Sequence, residues 1–84
     1  MKEGQMETLA DQFSSTVDYR TLKRYVSGAA KSAKMRRKAR AAFLRLKRKI
    51  GFILADFRFS PQKMQFYRIL RRAMPDFAKA MSLF

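Results

Sequence analysis

Six apolar residues in one stretch constrain the fold of this chain more than any other feature. Ala39, Phe43, Leu46, Ile50, Ile53 and Phe57 follow one another at intervals of 4, 3, 4, 3 and 4, the spacing that keeps side chains on one side of an α-helix. At 100° per residue they fall within roughly 80° of one another, and Met35, Ala42 and Leu54 widen the stripe at its margins. The rest of that helix is cationic. Residues 34 to 57 carry nine Lys or Arg and no acid before Asp56, so one helix can dock on a core and still present positive charge round most of its circumference.

That charge is unevenly placed along the chain. Residues 1 to 18 hold Lys2 against Glu3, Glu7, Asp11 and Asp18; residues 19 to 54 hold 13 basic residues and no acid; residues 55 to 84 hold six against Asp56 and Asp76. The formal net charge is +14. Like charges at this density repel one another and a polyanion removes that cost, so DNA, RNA or an anionic membrane surface is the expected partner. Solvated helix faces ordinarily mix both signs for solubility and i, i+4 pairing, which residues 19 to 54 do not.

Residues 34 to 57 also set the reading of the remaining helices. Met6, Leu9, Phe13 and Val17 form a weak amphipathic pattern, so residues 1 to 15 read as an acidic N-terminal arm, mobile, or as a short helix. The spacing Ser15-Thr16-Val17-Asp18 suits a capping box and predicts a helix from about Thr16 to about Ala30, with Tyr19, Leu22, Val26, Ala29 and Ala30 inward. The central helix is expected over 32 to 57, with Gly51 as a point of kinking or of close approach by another helix. Ser60-Pro61 suits an N-cap followed by a first helical residue. The helix that starts there has Met64, Tyr67, Leu70, Arg71 and Met74 along one side and Phe66, Ile69 and Ala73 along the next. Met74-Pro75-Asp76 starts a short C-terminal helix with Phe77, Ala80, Met81 and Phe84. Strand-like alternation is lacking.

The expected fold is therefore all-α. It has three main helices near 16 to 30, 32 to 57 and 61 to 74, a short C-terminal helix, and a single basic helical domain over residues 16 to 84. Leu22, Val26, Met64, Leu70, Met74 and Phe77 are the expected partners of the central seam, and pairing of two copies through the seam is a further expectation. With 84 residues and no cysteine, the fold must be held by packing, by a second copy or by a partner, without disulfides. The 48% hydrophobic content is too high for a disordered polycation.

Catalytic constellations are poorly supplied. Histidine and cysteine are absent, which removes the usual zinc ligands and general bases. The Glu3/Glu7 and Glu7/Asp11 pairs read as a solvated acidic face, and Ser60-Pro61-Gln62-Lys63, although it has S-x-x-K spacing, reads as a helix cap. Gly4, Gly28 and Gly51 are too far apart for a phosphate-binding loop. The chain is expected to be non-catalytic and to need no cofactor. Met1 is not followed by a basic segment and an apolar run, and the longest apolar run, Phe52 to Ala55, is far short of the roughly 20 residues of a membrane span. An intracellular chain, soluble or peripheral and cytoplasmic or nucleoprotein-associated, is the expectation.

The functional expectation rests on the basic side chains. Lys34, Arg36, Arg37, Lys38 and Arg40, then Arg45, Lys47, Arg48 and Lys49, would contact phosphates, with Arg68, Arg71 and Arg72 extending the surface if their helix packs beside the central one. Tyr19, Tyr25, Phe52, Phe59 and Tyr67 are candidates for stacking on bases. Reading of duplex sequence by residues 61 to 74 as a recognition helix, through Gln62, Lys63, Gln65 and Arg68, is a narrower form of the same idea. Packaging, architectural, ribonucleoprotein and regulatory roles all fit. The rival is a basic amphipathic helix that lies on anionic lipid or is captured by an acidic protein partner.

Overall fold

Polar residues at the helix ends divide the chain into its elements. The computed structural model describes residues 3–28, 32–57 and 60–84, and among these the regular structure is five α-helices. They are α1 (Glu3–Ser14), α2 (Val17–Val26), α3 (Ala33–Asp56), α4 (Ser60–Ala73) and α5 (Pro75–Leu83). No strand occurs among the described residues. The all-α expectation holds, with the N-terminal segment taking its helical form.

The helix starts follow capping chemistry. Thr16 is extended and its hydroxyl accepts the Tyr19 N–H at 3.1 Å, opening α2; Ser32 does the same for the Met35 N–H, opening α3. Each satisfies one donor that the first helical turn leaves without a partner. The capping box expected at Ser15 and Asp18 is not formed. Ser15 donates its hydroxyl back to the Asp11 carbonyl and helps to close α1, while Asp18 turns toward α3. The end of α2 comes at Val26, ahead of the expected stop near Ala30, because Gly28 takes φ 81°, the left-handed conformation that terminates helices. Ala29 and Ala30 lie outside the described residues. Between α4 and α5 a single residue, Met74, intervenes; its N–H still donates to the Leu70 carbonyl at 2.7 Å, and Pro75 sets the first turn of α5.

Burial follows the seam closely. Ala39, Phe43, Leu46, Ile50 and Phe57 are buried, with Ile53 half-buried, and Ala42 and Leu54 are buried at the margins. All but Ala42 share one core with Met6, Ala10 and Phe13 of α1, Tyr19 and Leu22 of α2, Phe66, Ile69 and Leu70 of α4, Met74, and Ala80 of α5. The principal pairings are α2 on α3, α1 on α4 and α5 on α2. Phe77 of α5 and Phe84, just past its end, lie against Phe43 at centroid distances of 5.2 and 5.6 Å, and Phe84 stacks on Tyr25 at 5.8 Å, in the offset geometries that aromatic rings favour. Phe57 meets Phe66 edge to face at 5.7 Å, joining the end of α3 to α4.

Two packing expectations need correction. Met64 and Tyr67 are exposed, because α4 turns its Phe66, Ile69, Leu70 and Ala73 face to its neighbours. Gly51 is also exposed, with open space where a side chain would stand; no helix approaches it. The seam is filled from within the chain, with Leu46 at 0% exposure.

The molecule is elongated, 40 × 19 × 18 Å with a radius of gyration of 13.1 Å, against about 12 Å for a compact chain of this length. At 1.5 Å per residue the 24 residues of α3 make a rod of about 36 Å. Only the long dimension accommodates it, so α3 forms the spine and the other helices cover its apolar side.

Candidate nucleic-acid interface

The cations of α3 fall into rows set by the helical period. Opposite Leu46 runs a crest of Arg37, Ala41, Leu44, Arg48, Gly51 and Ala55, again spaced 4, 3, 4, 3 and 4. On one flank stand Lys34, Lys38, Arg45 and Lys49, on the other Arg36, Arg40 and Lys47. All nine side chains are exposed, as burial of an unpaired cation would demand several kcal/mol. The surface they make runs from Lys34 to Lys49, about 23 Å along the helix axis.

Partnering separates these nine into classes. Arg45 grips Asp18 of α2: Nη2 donates to Oδ1 at 2.8 Å and Nε donates to Oδ1 and Oδ2 at 3.1 and 3.2 Å. The hydrogen-bonded Arg45 guanidinium holds the Asp18 carboxyl below its ordinary value; partial burial opposes this, and the charges of Arg45 and Lys49 add to it. This is the one ion pair among the described residues, and a phosphate at Arg45 must compete with it. Arg36 lies over the Phe84 ring at 5.8 Å and Lys47 near the Phe43 ring at 6.0 Å, both leaning toward the core. Lys34, Arg37, Lys38, Arg40, Arg48 and Lys49 have no ion pair and no ring contact among the described residues. Four of the nine, Lys34, Arg36, Arg37 and Lys38, crowd the first turns of α3, where no acid offsets the positive end of the helix dipole; an external anion relieves that repulsion.

The clamp at Asp18 gives a pH prediction. A carboxyl whose folded pKa is depressed contributes stability that is present above its unfolded value of about 3.9 and is lost as pH falls through the lower folded value. Thermal melts followed by circular dichroism should show an acid-side decline in wild type. Asp18→Asn should melt lower at pH 7 and show less of that decline; a variant that tracks wild type from pH 7 to 2 would show that the pair contributes nothing. Tyr19 adds a second tie, its hydroxyl oxygen accepting the Asp76 N–H of α5 at 3.3 Å; burial pushes its phenol upward.

Arg68, Arg71 and Arg72 do not extend the α3 surface as expected. They are exposed, but α4 packs mainly on α1 and α5 and not beside α3. Arg72 borders a depression that also holds Glu7 and Asp11 of α1, so its field is partly offset. Arg71 edges an apolar groove of about 250 Å³ with Tyr67, Leu70, Met74, Phe77, Ala78 and Met81. Gln62, Lys63, Gln65 and Arg68 lie on α4, and the turn expected to set it as a recognition helix includes Arg58 and Phe59, which lie outside the described residues. Of the stacking candidates, Tyr19 is buried and Tyr25 is held against Phe84; Phe52 and Tyr67 are exposed, and Phe59 also lies outside the described residues.

Sequence reasoning missed the Asp18–Arg45 clamp. Its signal was available: Asp18 is the last acid before the 13-cation stretch, where an intramolecular partner is electrostatically favoured. No group of acidic residues suited to a metal ion occurs among the described residues, and none of their helices is long and apolar enough to cross a membrane. Comparisons with protein-family models, curated proteins and solved structures find no match to this chain.

Proposed function

We propose that this is a non-catalytic nucleic-acid-binding protein that holds the phosphate backbone along the exposed side of α3. The observation that carries the reading is the separation of the two faces of one helix. The apolar seam is closed inside the fold, while six cations on the other side, Lys34, Arg37, Lys38, Arg40, Arg48 and Lys49, form no ion pair among the described residues. Phosphates spaced along a strand supply the missing counter-charge with release of condensed ions.

The lipid-surface alternative draws less support. Insertion into a bilayer interface requires a continuous apolar face turned outward, and the continuous apolar face of α3 is the buried one. An acidic protein partner offers carboxylates at irregular spacing, whereas the cations repeat along about 23 Å of helix, a match for a regular polyanion.

The test is a side-by-side binding measurement in low salt with duplex DNA, single-stranded DNA, structured RNA and vesicles containing phosphatidylserine. Nucleic acid should bind much more tightly than vesicles, with the helical content of the protein unchanged. Vesicle binding in preference, with rising helicity or loss of the melting transition, would mean that the seam opens onto lipid and would overturn the proposal.

A further inference from the structure

The cationic flank Lys34, Lys38, Arg45, Lys49 ends at an aromatic ring. Phe52 continues that row at the helical period, three residues beyond Lys49 and four beyond Arg48. It is 70% exposed, more than any other large apolar side chain described. Its ring has no aromatic or cationic partner among the described residues. Helical side chains lean toward the N-terminus of their helix, so the ring stands over the turn that carries Arg48 and Lys49. Its neighbours on the other sides are small: Gly51, with open space above it, and Ala55. Asp56, one turn further on and exposed, repels phosphate and ends the cationic row just past the ring.

We infer that Phe52 is a stacking platform for an unpaired base, which makes single-stranded nucleic acid the preferred ligand of the α3 surface. This rests on the nucleic-acid reading above and deepens it. Cations alone do not distinguish one strand from two, since both present phosphates. A ring with a free face, flanked by cations one turn away, does, because bases in a regular duplex already stack on one another and offer no face. The arrangement of phosphate contacts along a groove with an aromatic beside them is the general solution for sequence-tolerant binding of single strands. A lone ring also suits a base better than a bilayer. Leu44 is the other large apolar side chain exposed on α3, and Arg48 stands between the two on the helix surface, so they do not form the contiguous patch that interfacial insertion needs.

Phe52→Ala and Phe52→Trp test this directly. Both changes are at an exposed helical position, and unchanged circular dichroism would show that the fold is kept. Stacking of one base should make Phe52→Ala weaker on a single strand by roughly 5- to 150-fold, with duplex affinity and the salt dependence of both left as in wild type. The chain has no tryptophan, so the Phe52→Trp variant carries a single reporter, whose emission should be quenched by an unlabelled single-stranded oligonucleotide and not by duplex. Wild-type affinity of Phe52→Ala for single strands, with the steep salt dependence intact and no quenching of the reporter, would overturn the stacking role and leave the phosphate reading standing. Salt-insensitive binding of both polymers, with a blue shift of the reporter on phosphatidylserine vesicles, would overturn both.

Discussion

Leu46→Ala should destabilise the protein by about 2 to 5 kcal/mol, the range for truncating a fully buried leucine. Leu46 lies at the middle of the seam with no exposed surface, and its cluster includes residues from all five helices. Little slack exists to absorb the loss, since a domain of 84 residues has roughly 4 to 13 kcal/mol of total stability. One methyl-bearing branch therefore represents a third or more of the whole in the central case. At about 4 to 8 °C per kcal/mol for a domain this small, the melting temperature should fall by about 8 °C or more. A thermal melt checks it, and a wild-type melting temperature would mean that the seam is not the core. Leu44→Ala is the natural comparison: its side chain is 51% exposed on the crest of the same helix, and it should melt close to wild type.

Replacing Arg37, Lys38, Arg48 and Lys49 together by Gln should have the opposite profile, with large effects on binding and none of that size on folding. These four side chains are exposed and take no ion pair among the described residues, so the fold does not depend on them, and removing like charges lowers the self-repulsion of a +14 chain. Each phosphate contact contributes about 0.7 to the slope of log K against log salt on single strands and about 0.9 on duplex. Losing four should flatten the slope by about 3 to 4 units and weaken binding on every sequence alike. Replacing Arg68, Arg71 and Arg72 should change it less, since α4 packs mainly on α1 and α5 and Arg72 lies near Glu7 and Asp11. An unchanged slope in the α3 variant would remove the phosphates from α3.

The central helix was legible because two independent signals coincide on it. The 4, 3 spacing of the seam fixed which side is buried, and the absence of acid fixed which side is not; Ser32 and Asp56 bound it within a residue of expectation. Residues with weaker signals were harder to read. Ser15 and Thr16 are equally good caps one residue apart, and what decides between them is tertiary: with Thr16 as cap, Asp18 falls where it can receive Arg45. On α4 the apolar residues are so numerous that spacing alone allows several faces, and the one chosen depends on α1 and α5, which sequence periodicity does not reveal. For that reason spacing alone places Met64 and Tyr67 inward, where the structure leaves them exposed. The N-terminal segment shows the same limit. Met6 and Phe13 share one face, but the small Ala10 that lies between them, fully buried, carries little hydropathic signal, so periodicity alone leaves arm and helix open and α4 supplies the surface that buries the segment.

The site divides along the same line. Exposure of all nine α3 cations follows from the period of the seam, and so was readable in advance. Their engagement was not. Only the position of α2 shows that Arg45 is held by Asp18, and only that of α5 shows that Arg36 lies over Phe84. The aromatic candidates sort in the same way: five were plausible from the sequence, and burial leaves Phe52 as the exposed ring on the cationic helix.

The most direct measurement is the affinity of the intact chain for single-stranded DNA as salt is raised from about 50 to about 200 mM. With some six cations on α3 outside any ion pair among the described residues, binding should weaken on the order of 10²- to 10³-fold over that interval, along a straight line of log K against log salt. A flat line, or affinity that persists unchanged at the higher salt, would contradict the account, because the exposed side of α3 would then not be neutralising phosphates.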